Sequence, residues 1–372
     1  MAAISLLGLF GAALLSMDYG NTVSTRRNLV TGTDSTALDQ AKHLAFASSG
    51  TCQLTWTDYL IRNVGGAGTT PLTCTPSFGT GTQTGMGWVG VDARKSAETR
   101  FGGLFGLGNT NPYSFSAAQW GFITQAEGLR PMGICLENEH IQEWIAYQNG
   151  GMTETQYNAL PVTDLLAHPI YPGAGVTHRI LFTKDNPDDC GTDAPGNWGW
   201  MDFECNNDAD TPAEICGNSN AELVQLIQYG YQELAGLGDC DGDAGTPGGE
   251  TGDYCNGDTG SSGGSVGSAL NSLISNQIEF LIPIFDSVTV DSGNNVYFNM
   301  VYFVAVRLLG FRMTGPESGR YFDFEFVELV ASGNCCSPAP AVDTGIRGVR
   351  LCAVDHDTQP GATDAGRCTA TT

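Results

Sequence analysis

Basic residues are scarce in this chain. Its 372 residues include 16 Lys and Arg against 40 Asp and Glu, a formal net charge of −24. The stretch from Asp185 to Val306 holds half of those acids without one Lys, Arg or His. That balance excludes nucleic-acid binding by charge, which needs Lys and Arg to replace phosphate counterions, and docking on anionic lipid through a basic face. Histidine is rarer still at 5 residues, and none of the 12 cysteines forms a C-x-x-C pair, so the ligand spacing of a zinc finger is missing. No phosphate-binding P-loop string occurs, and the glycines of Gly102–Gly108 (GGLFGLG) stand in the wrong order for a dinucleotide fingerprint. What the chain does have is 41% hydrophobic and 9% aromatic residues, enough for a packed core. With 50 glycines and only 15% charged residues, the composition points to a turn-rich α+β protein, mostly β, rather than a helical bundle.

An even number of cysteines without metal spacing reads as a disulfide framework formed in an oxidising compartment. Cys52 with Cys74, and Cys240 with Cys255, are spaced like local bridges across a hairpin or loop. Reduced thiols buried in a core are the alternative.

Residues 2–17 (AAISLLGLFGAALLSM) carry no charge, and the run stops at Asp18. Its length lies at the lower edge of the about 17 to 25 residues that span a bilayer as a helix. The expectation is a retained membrane anchor. A cleaved signal peptide competes, but a basic lead and an A-x-A site before Asp18 are both missing. Beyond the run, Leu29, Ala37, Ala41, Leu44 and Ala45 recur at three- and four-residue intervals, which predicts one long helix that faces lipid first and then packs on something else. Arg26 and Arg27 follow the apolar run and, by the positive-inside rule, put the remainder in the cytoplasm, whereas the cysteines put it outside.

The segment from the apolar run through Asp18-Tyr19-Gly20 and Arg26-Arg27 to Asp34-Ser35-Thr36-Ala37-Leu38-Asp39-Gln40-Ala41 resembles the N-terminal segment of Tad pilus-assembly proteins of the TadE/TadG-like kind. In that family an apolar anchor is followed by an Asp-x-Gly turn and an Ala-rich helix with a D-x-x-A-L core. The resemblance therefore marks Asp18, Gly20, Asp34, Ala37 and Leu38. A second patch, Val89-Gly90-Val91-Asp92-Ala93-Arg94, then Phe101-Gly102-Gly103-Leu104-Phe105-Gly106, then Ala117-Ala118, is similar to the strand, Phe/Gly turn and strand that follow that helix. No glutamate stands where prepilin-peptidase substrates carry one, so processing by such a peptidase is not implied. The resemblance implies a membrane-anchored envelope protein in assembly of Flp-type pili, with pilin or other pilus-assembly proteins as partners and no catalytic residues.

Between residues 50 and 125, runs such as Trp88-Val89-Gly90-Val91 and Tyr113-Ser114-Phe115 read as strands among Gly, Thr and Asn turns. Residues 136–150 and 221–235 have helical spacing, the second closed by Gly236 and Gly238. Residues 236–267 are too rich in Gly and Asp to build a core and read as a surface loop. Ile278–Val290, a Ser292-Gly293-Asn294-Asn295 turn and Val296–Met313 predict a long hairpin. In Arg320–Val330, alternation puts Phe322, Phe324 and Phe326 on a core face and Asp323 and Glu325 on the opposite, solvated one. Gly348–Cys352 is the last strand expected, before a polar tail. The domain reading is an anchor and amphipathic helix over 1–48, a disulfide-rich antiparallel β body with two helical insertions over 49–354, and a tail over 355–372.

Few constellations carry chemistry. Asp239, Asp241, Asp243 and Glu250 occupy positions 1, 3, 5 and 12 of a calcium loop, although the turn glycine at position 6 is Ala244 and Pro247 sits at position 9. An unliganded acidic loop is the bland reading, and Asn206, Asn207, Asp208 and Asp210 make a weaker cluster of the same sort. Gly263-Gly264-Ser265-Val266-Gly267 matches the G-x-S-x-G nucleophile string, but no strand precedes it and no partner base is evident for Ser265. His140 with Glu143 is not the H-E-x-x-H zinc pattern and reads as a partly exposed helix histidine. Trp198 and Trp200 beside Asp202 form either a sugar- or partner-binding surface or packing over a disulfide. The expectation is a non-enzymatic single-pass protein of the cytoplasmic membrane with an extracytoplasmic body and no required cofactor. The alternatives are a calcium-dependent surface adhesin and an anchored serine hydrolase using Ser265.

Overall fold

The computed structural model describes residues 2–47, 49–80, 85–99, 101, 108–160, 177–181, 200–202, 220–232, 234–236, 255–257, 264–290, 296–314, 320–337, 342–355 and 368; for residues 2–12 and some strand ends it describes the backbone alone. The chain is mixed α and β with more strand than helix. It divides into two units, Met1–Phe122 with Cys336–Ala339 and Val349–Thr372, and Ile123–Cys335 with Pro340–Gly348.

The first unit opens with α1, Ala2–Leu44, a helix of 43 residues. It runs unbroken through Asp18-Tyr19-Gly20, so the Asp-x-Gly turn expected from the resemblance is helix here. Gly20 supplies no special conformation, and nothing lies within 4 Å of where its Cβ would sit. The apolar intervals do what they predict, since Leu29, Ala37, Ala41, Leu44 and Ala45 are all buried. Helix α2, Trp56–Val64, packs close to α1 because position 32 is glycine: a Cβ there would lie 2.2 Å from Val64 Cγ2. Leu29, Leu60, Val64 and Ala93 form a small core, with Trp56 packed against it. Gly65 ends α2 in the left-handed region at φ 87°. Lys95 Nζ donates to the Val64 carbonyl at 2.8 Å, placing a cation at the helix's negative end. Strands β1 (Thr69–Phe78), β2 (Gly87–Lys95) and β3 (Tyr113–Ala126) pair antiparallel in that order. β13 (Gly333–Ser337) and β14 (Ile346–Asp355) also pair with β3. The Cys52–Cys74 disulfide ties the segment between the helices to β1. Cys352–Cys368 tethers the tail, whose Cys368 is buried rather than loose in solvent.

The second unit is built on a sheet ordered β4 (Ile134–Cys135), β9 (Glu279–Val290), β10 (Val296–Arg312), β11 (Tyr321–Val327) and β5 (Thr177–Leu181). β8 (Cys255–Gly257) pairs with β10, and β6 (Met201–Asp202) with β8. β9 and β10 are the predicted hairpin, paired from Val296↔Val290 to Arg307↔Glu279; its turn, 291–295, lies outside the described residues. One sheet face is covered by α3 (Glu139–Gln148), α5 (Asn220–Tyr229) and α6 (Gly264–Ser275), with Ile141, Trp144, Ile227 and Leu270 packed among Ile282, Val304 and Phe324. On the other face Leu281, Phe285, Phe298 and Phe303 cluster with Leu129 and Tyr231. Burial on both sides is why Phe280–Phe285 reads as an apolar run and not as an alternation. The short helix α4 (Glu154–Tyr157) follows α3, and β7 (Ala235–Gly236) pairs with the end of β3.

Several expectations are corrected. Phe322, Phe324 and Phe326 are buried as predicted, but Asp323 and Glu325 are buried too, at 1% and 6% exposure, instead of facing water. Each meets an arginine on a neighbouring strand. Arg179 donates to Asp323 through Nε and Nη2 at 2.7 and 3.0 Å, and Arg307 donates to Glu325 and to Glu279. Helix α5 ends at Gly230, not Gly236. Gly230 takes φ 74°, and a Cβ on it would sit 2.4 Å from the Gly128 carbonyl oxygen. The body is not wholly antiparallel, since β4 runs parallel to β9 and β12 (Leu329–Val330) parallel to β14. Within 236–267, β8 and the start of α6 replace part of the expected loop; residues 237–254 and 258–263 lie outside the described residues.

Candidate functional site

In the first unit the two sequence patches of the resemblance meet. The Asp18 carboxylate, 8% exposed, accepts from the Phe101 N–H at 3.0 Å. The next contacts toward the C-terminus are Asn21 Nδ2, donating to the Glu98 carbonyl at 2.9 Å, and Thr22 Oγ1, 3.1 Å from Thr110 Oγ1. Further along, Thr33 Oγ1 lies 2.8 Å from Ser114 Oγ, and Ser116 Oγ is 2.9 Å from Thr33 Oγ1 and hydrogen-bonded to the Asp34 carboxylate. Ala37 is buried and Leu38 half-buried, while Gly20 is exposed. Ahead of Asp18, Leu15 and Met17 are exposed at 47% and 63%. The described hydrogen bonds from α1 to the rest of the unit thus begin where the apolar run ends, first to the connection between β2 and β3 and, from Thr33 on, to β3. Among the described residues no helix is long and apolar enough to cross a membrane. The side chains of residues 2–12, most of the expected anchor, lie outside that description.

The second unit holds a cluster that sequence reasoning missed. Asn138 caps α3, its Oδ1 accepting from the His140 N–H at 3.1 Å. One helical turn then places Glu143 on the same face as His140. Strand β5 supplies His178, and the end of α4 supplies Tyr157, held by a Thr153/Gln156 capping box. Glu143 Oε2 is 3.1 Å from His140 Nδ1 and 3.9 Å from His178 Nδ1. Tyr157 Oη is 2.8 Å from His178 Nε2, and the two imidazole rings are 4.8 Å apart. Phe326 packs 5.0 Å from His178, and Tyr147 stacks on Tyr157.

His178 is 2% exposed. Burial, helped by neighbouring His140, lowers its pKa to about 3, so the ring is neutral at pH 7. Burial, then the Glu143 charge, raises the Tyr157 phenol and keeps it protonated. One donor atom from each of His140, Glu143 and His178 lies within 4.8 Å of the others. Two imidazoles and a carboxylate are a donor set that borderline divalent metals accept. The expectation of a partly exposed His140 fails because its ring is turned into this cluster and buried. The His140-x-x-Glu143 spacing was the one signal in the sequence, and nothing in it pointed to His178.

The remaining sequence-derived residues do not join this cluster. Asp239, Asp241, Asp243 and Glu250 lie outside the described residues, as do Asn206, Asn207, Asp208 and Asp210. Ser265 sits exposed on the first turn of α6, and the residues that would form the strand and turn before it are outside the description. Cys52 and Cys74 pair as expected. Cys240 is outside the description, and Cys255 is described only as backbone of β8. Cys135, Cys335 and Cys336 are also disulfide-bonded, and no cysteine among the described residues is free. Trp200 is fully buried and edge-on to Phe322 at 5.9 Å, which makes it core packing and not a binding surface. Trp198 is outside the described residues. Comparison of the chain with protein-family models, with curated proteins and with solved structures gives no match.

Proposed function

We propose that this chain is a non-catalytic, membrane-anchored envelope protein of the Flp-type pilus-assembly kind. In this reading the start of α1 is held in the cytoplasmic membrane, and the disulfide-bonded body lies outside the cytoplasm, in contact with pilin or other assembly proteins. The observation that carries the reading is the position of Asp18. The described hydrogen bonds from α1 to the rest of the first unit begin there, and the uncharged run of residues 2–17 stops there. Apolar surface left in water costs roughly 25 cal/mol per Å², so a run of this length favours a bilayer or the interior of a filament. The disulfides add a second support, because such bonds persist in oxidising compartments.

The test is mass-shift alkylation of the protein in washed membranes of its own host, with thiols counted before and after reduction under denaturing conditions. The protein is expected to stay with the membrane, its cysteines reacting only after reduction. Free cysteines, or release of the intact chain by washing, would overturn the reading.

A further inference from the structure

We infer that His140, Glu143 and His178 bind one borderline divalent metal ion of the zinc class, through the Nδ1 atoms of both histidines and Oε2 of Glu143. This goes beyond the envelope reading and stands without it.

Both Nδ1 atoms face the same carboxylate oxygen, at 3.1 and 3.9 Å. Around a tetrahedral ion with bonds of about 2.0–2.1 Å, donor atoms sit roughly 3.3 Å apart, which falls between those two spacings. Since the donor atoms lie within 4.8 Å of one another, the widest gap closes by at most about 1.5 Å to reach that spacing. Rotation of the Glu143 side chain, 27% exposed against 11% for His140, supplies such a movement.

The far nitrogen of His178 is positioned as a metal-bound histidine requires. His178 Nε2 is 2.8 Å from Tyr157 Oη, whereas His140 Nε2 is 3.9 Å from Glu139 Oε1, beyond hydrogen-bond reach. An oxygen on the non-ligating nitrogen fixes the tautomer that turns the other lone pair toward the ion. Imidazole donors select against calcium and magnesium, which take oxygen ligands. Three protein ligands leave a fourth position for water, and the Glu143 side chain, 27% exposed, gives the ion a route from solvent.

The metal-free alternative is the hydrogen-bonded arrangement itself. In it His140 donates Nδ1–H to Glu143, Tyr157 donates its O–H to His178 Nε2, and His178 carries its proton on Nδ1, 3.9 Å from the Glu143 carboxylate. The two arrangements differ in where the His178 proton sits, and that difference can be measured.

The experiment uses the purified full chain, stripped with chelator and titrated with Zn²⁺ by calorimetry and with Co²⁺ by visible absorption. One equivalent is expected to bind, with cobalt bands of a four-coordinate site and no displacement by calcium. His140→Ala and Glu143→Gln, each verified as folded by circular dichroism, should weaken that binding at least 100-fold. Tyr157→Phe, which keeps all three ligands, should weaken it about tenfold. Nitrogen-15 spectra should show the His178 proton on Nε2 once zinc is added. The inference is overturned if the wild-type chain takes up no cobalt at millimolar metal. It is equally overturned if binding survives both ligand variants, or if His178 keeps its proton on Nδ1 in the presence of zinc.

Discussion

Replacing Arg179 with Met in the second unit removes the cation from a buried ion pair and keeps most of the side-chain length. Arg179 and Asp323 face each other across β5 and β11, joined by two hydrogen bonds of 2.7 and 3.0 Å, with side chains 14% and 2% exposed. The guanidinium also lies 3.8 Å over the Tyr321 ring. A Met side chain retains much of the apolar contact, but the Asp323 carboxylate then loses its arginine in a low-dielectric interior. Breaking a buried pair in this way costs about 3–5 kcal/mol. For a unit of this size each kcal/mol moves the melting temperature by about 2–4 °C, so a fall of roughly 6–20 °C is expected. Adding Asp323→Leu to the Arg179→Met chain removes the stranded charge and should bring stability back to within about 1 kcal/mol of wild type, or above it.

Thermal and urea denaturation with disulfides intact, followed by circular dichroism, measures the loss in each variant and in the double variant. Purely additive losses in Arg179→Met and Asp323→Leu would refute the coupling.

Other predictions concern the first unit, the acidic loop and Ser265. Gly20→Ala should stabilise the chain by about 0.5–1 kcal/mol, because the position is open and helical; destabilisation at this site would mean that α1 turns there after all. Gly32→Ala should destabilise by about 1–3 kcal/mol despite the same gain in propensity, because its Cβ meets Val64, and an unchanged melting temperature would contradict the close packing of α1 on α2. Converting Cys52 and Cys74 to Ser opens a bridge spanning 22 positions and should cost about 3 kcal/mol, read by denaturation against the intact protein. If Asp239, Asp241, Asp243 and Glu250 hold calcium, millimolar calcium raises the melting temperature of the wild type and not of Asp241→Asn/Asp243→Asn; a flat response in both removes the adhesin alternative. Ser265→Ala should leave stability and membrane association unchanged, and loss of a measurable esterase activity in that variant would revive the hydrolase alternative.

What was legible in the sequence follows from how local each signal is. The buried face of α1 could be read because Leu29, Ala37, Ala41 and Leu44 lie on one helix whose period is fixed by backbone geometry. The β9–β10 hairpin could be read because two β-rich runs flank a turn signal. Asp323 and Glu325 were misread because alternation assigns a polar residue to water unless a counter-charge is known, and Arg179 is 144 residues away in the chain from its partner. The end of α5 was misplaced among several glycines, since a carbonyl of Gly128 singles out Gly230. Beyond the His140-x-x-Glu143 spacing, the histidine cluster is hidden for the same reason: α3, α4 and β5 meet only once the sheet of the second unit has formed.

The Cys52–Cys74 bridge also sets how the first unit carries mechanical load. A pull applied at the start of α1 passes along the helix to Leu44, through a short segment to Cys52, and across a covalent bond into β1. β1 is joined to β2 by an antiparallel ladder from Thr69↔Lys95 to Phe78↔Gly87. The chain between the two cysteines, α2 included, is bypassed by the force. Stretched from its N-terminus, the oxidised unit would therefore hide roughly 70–80 Å of contour length that the reduced unit releases.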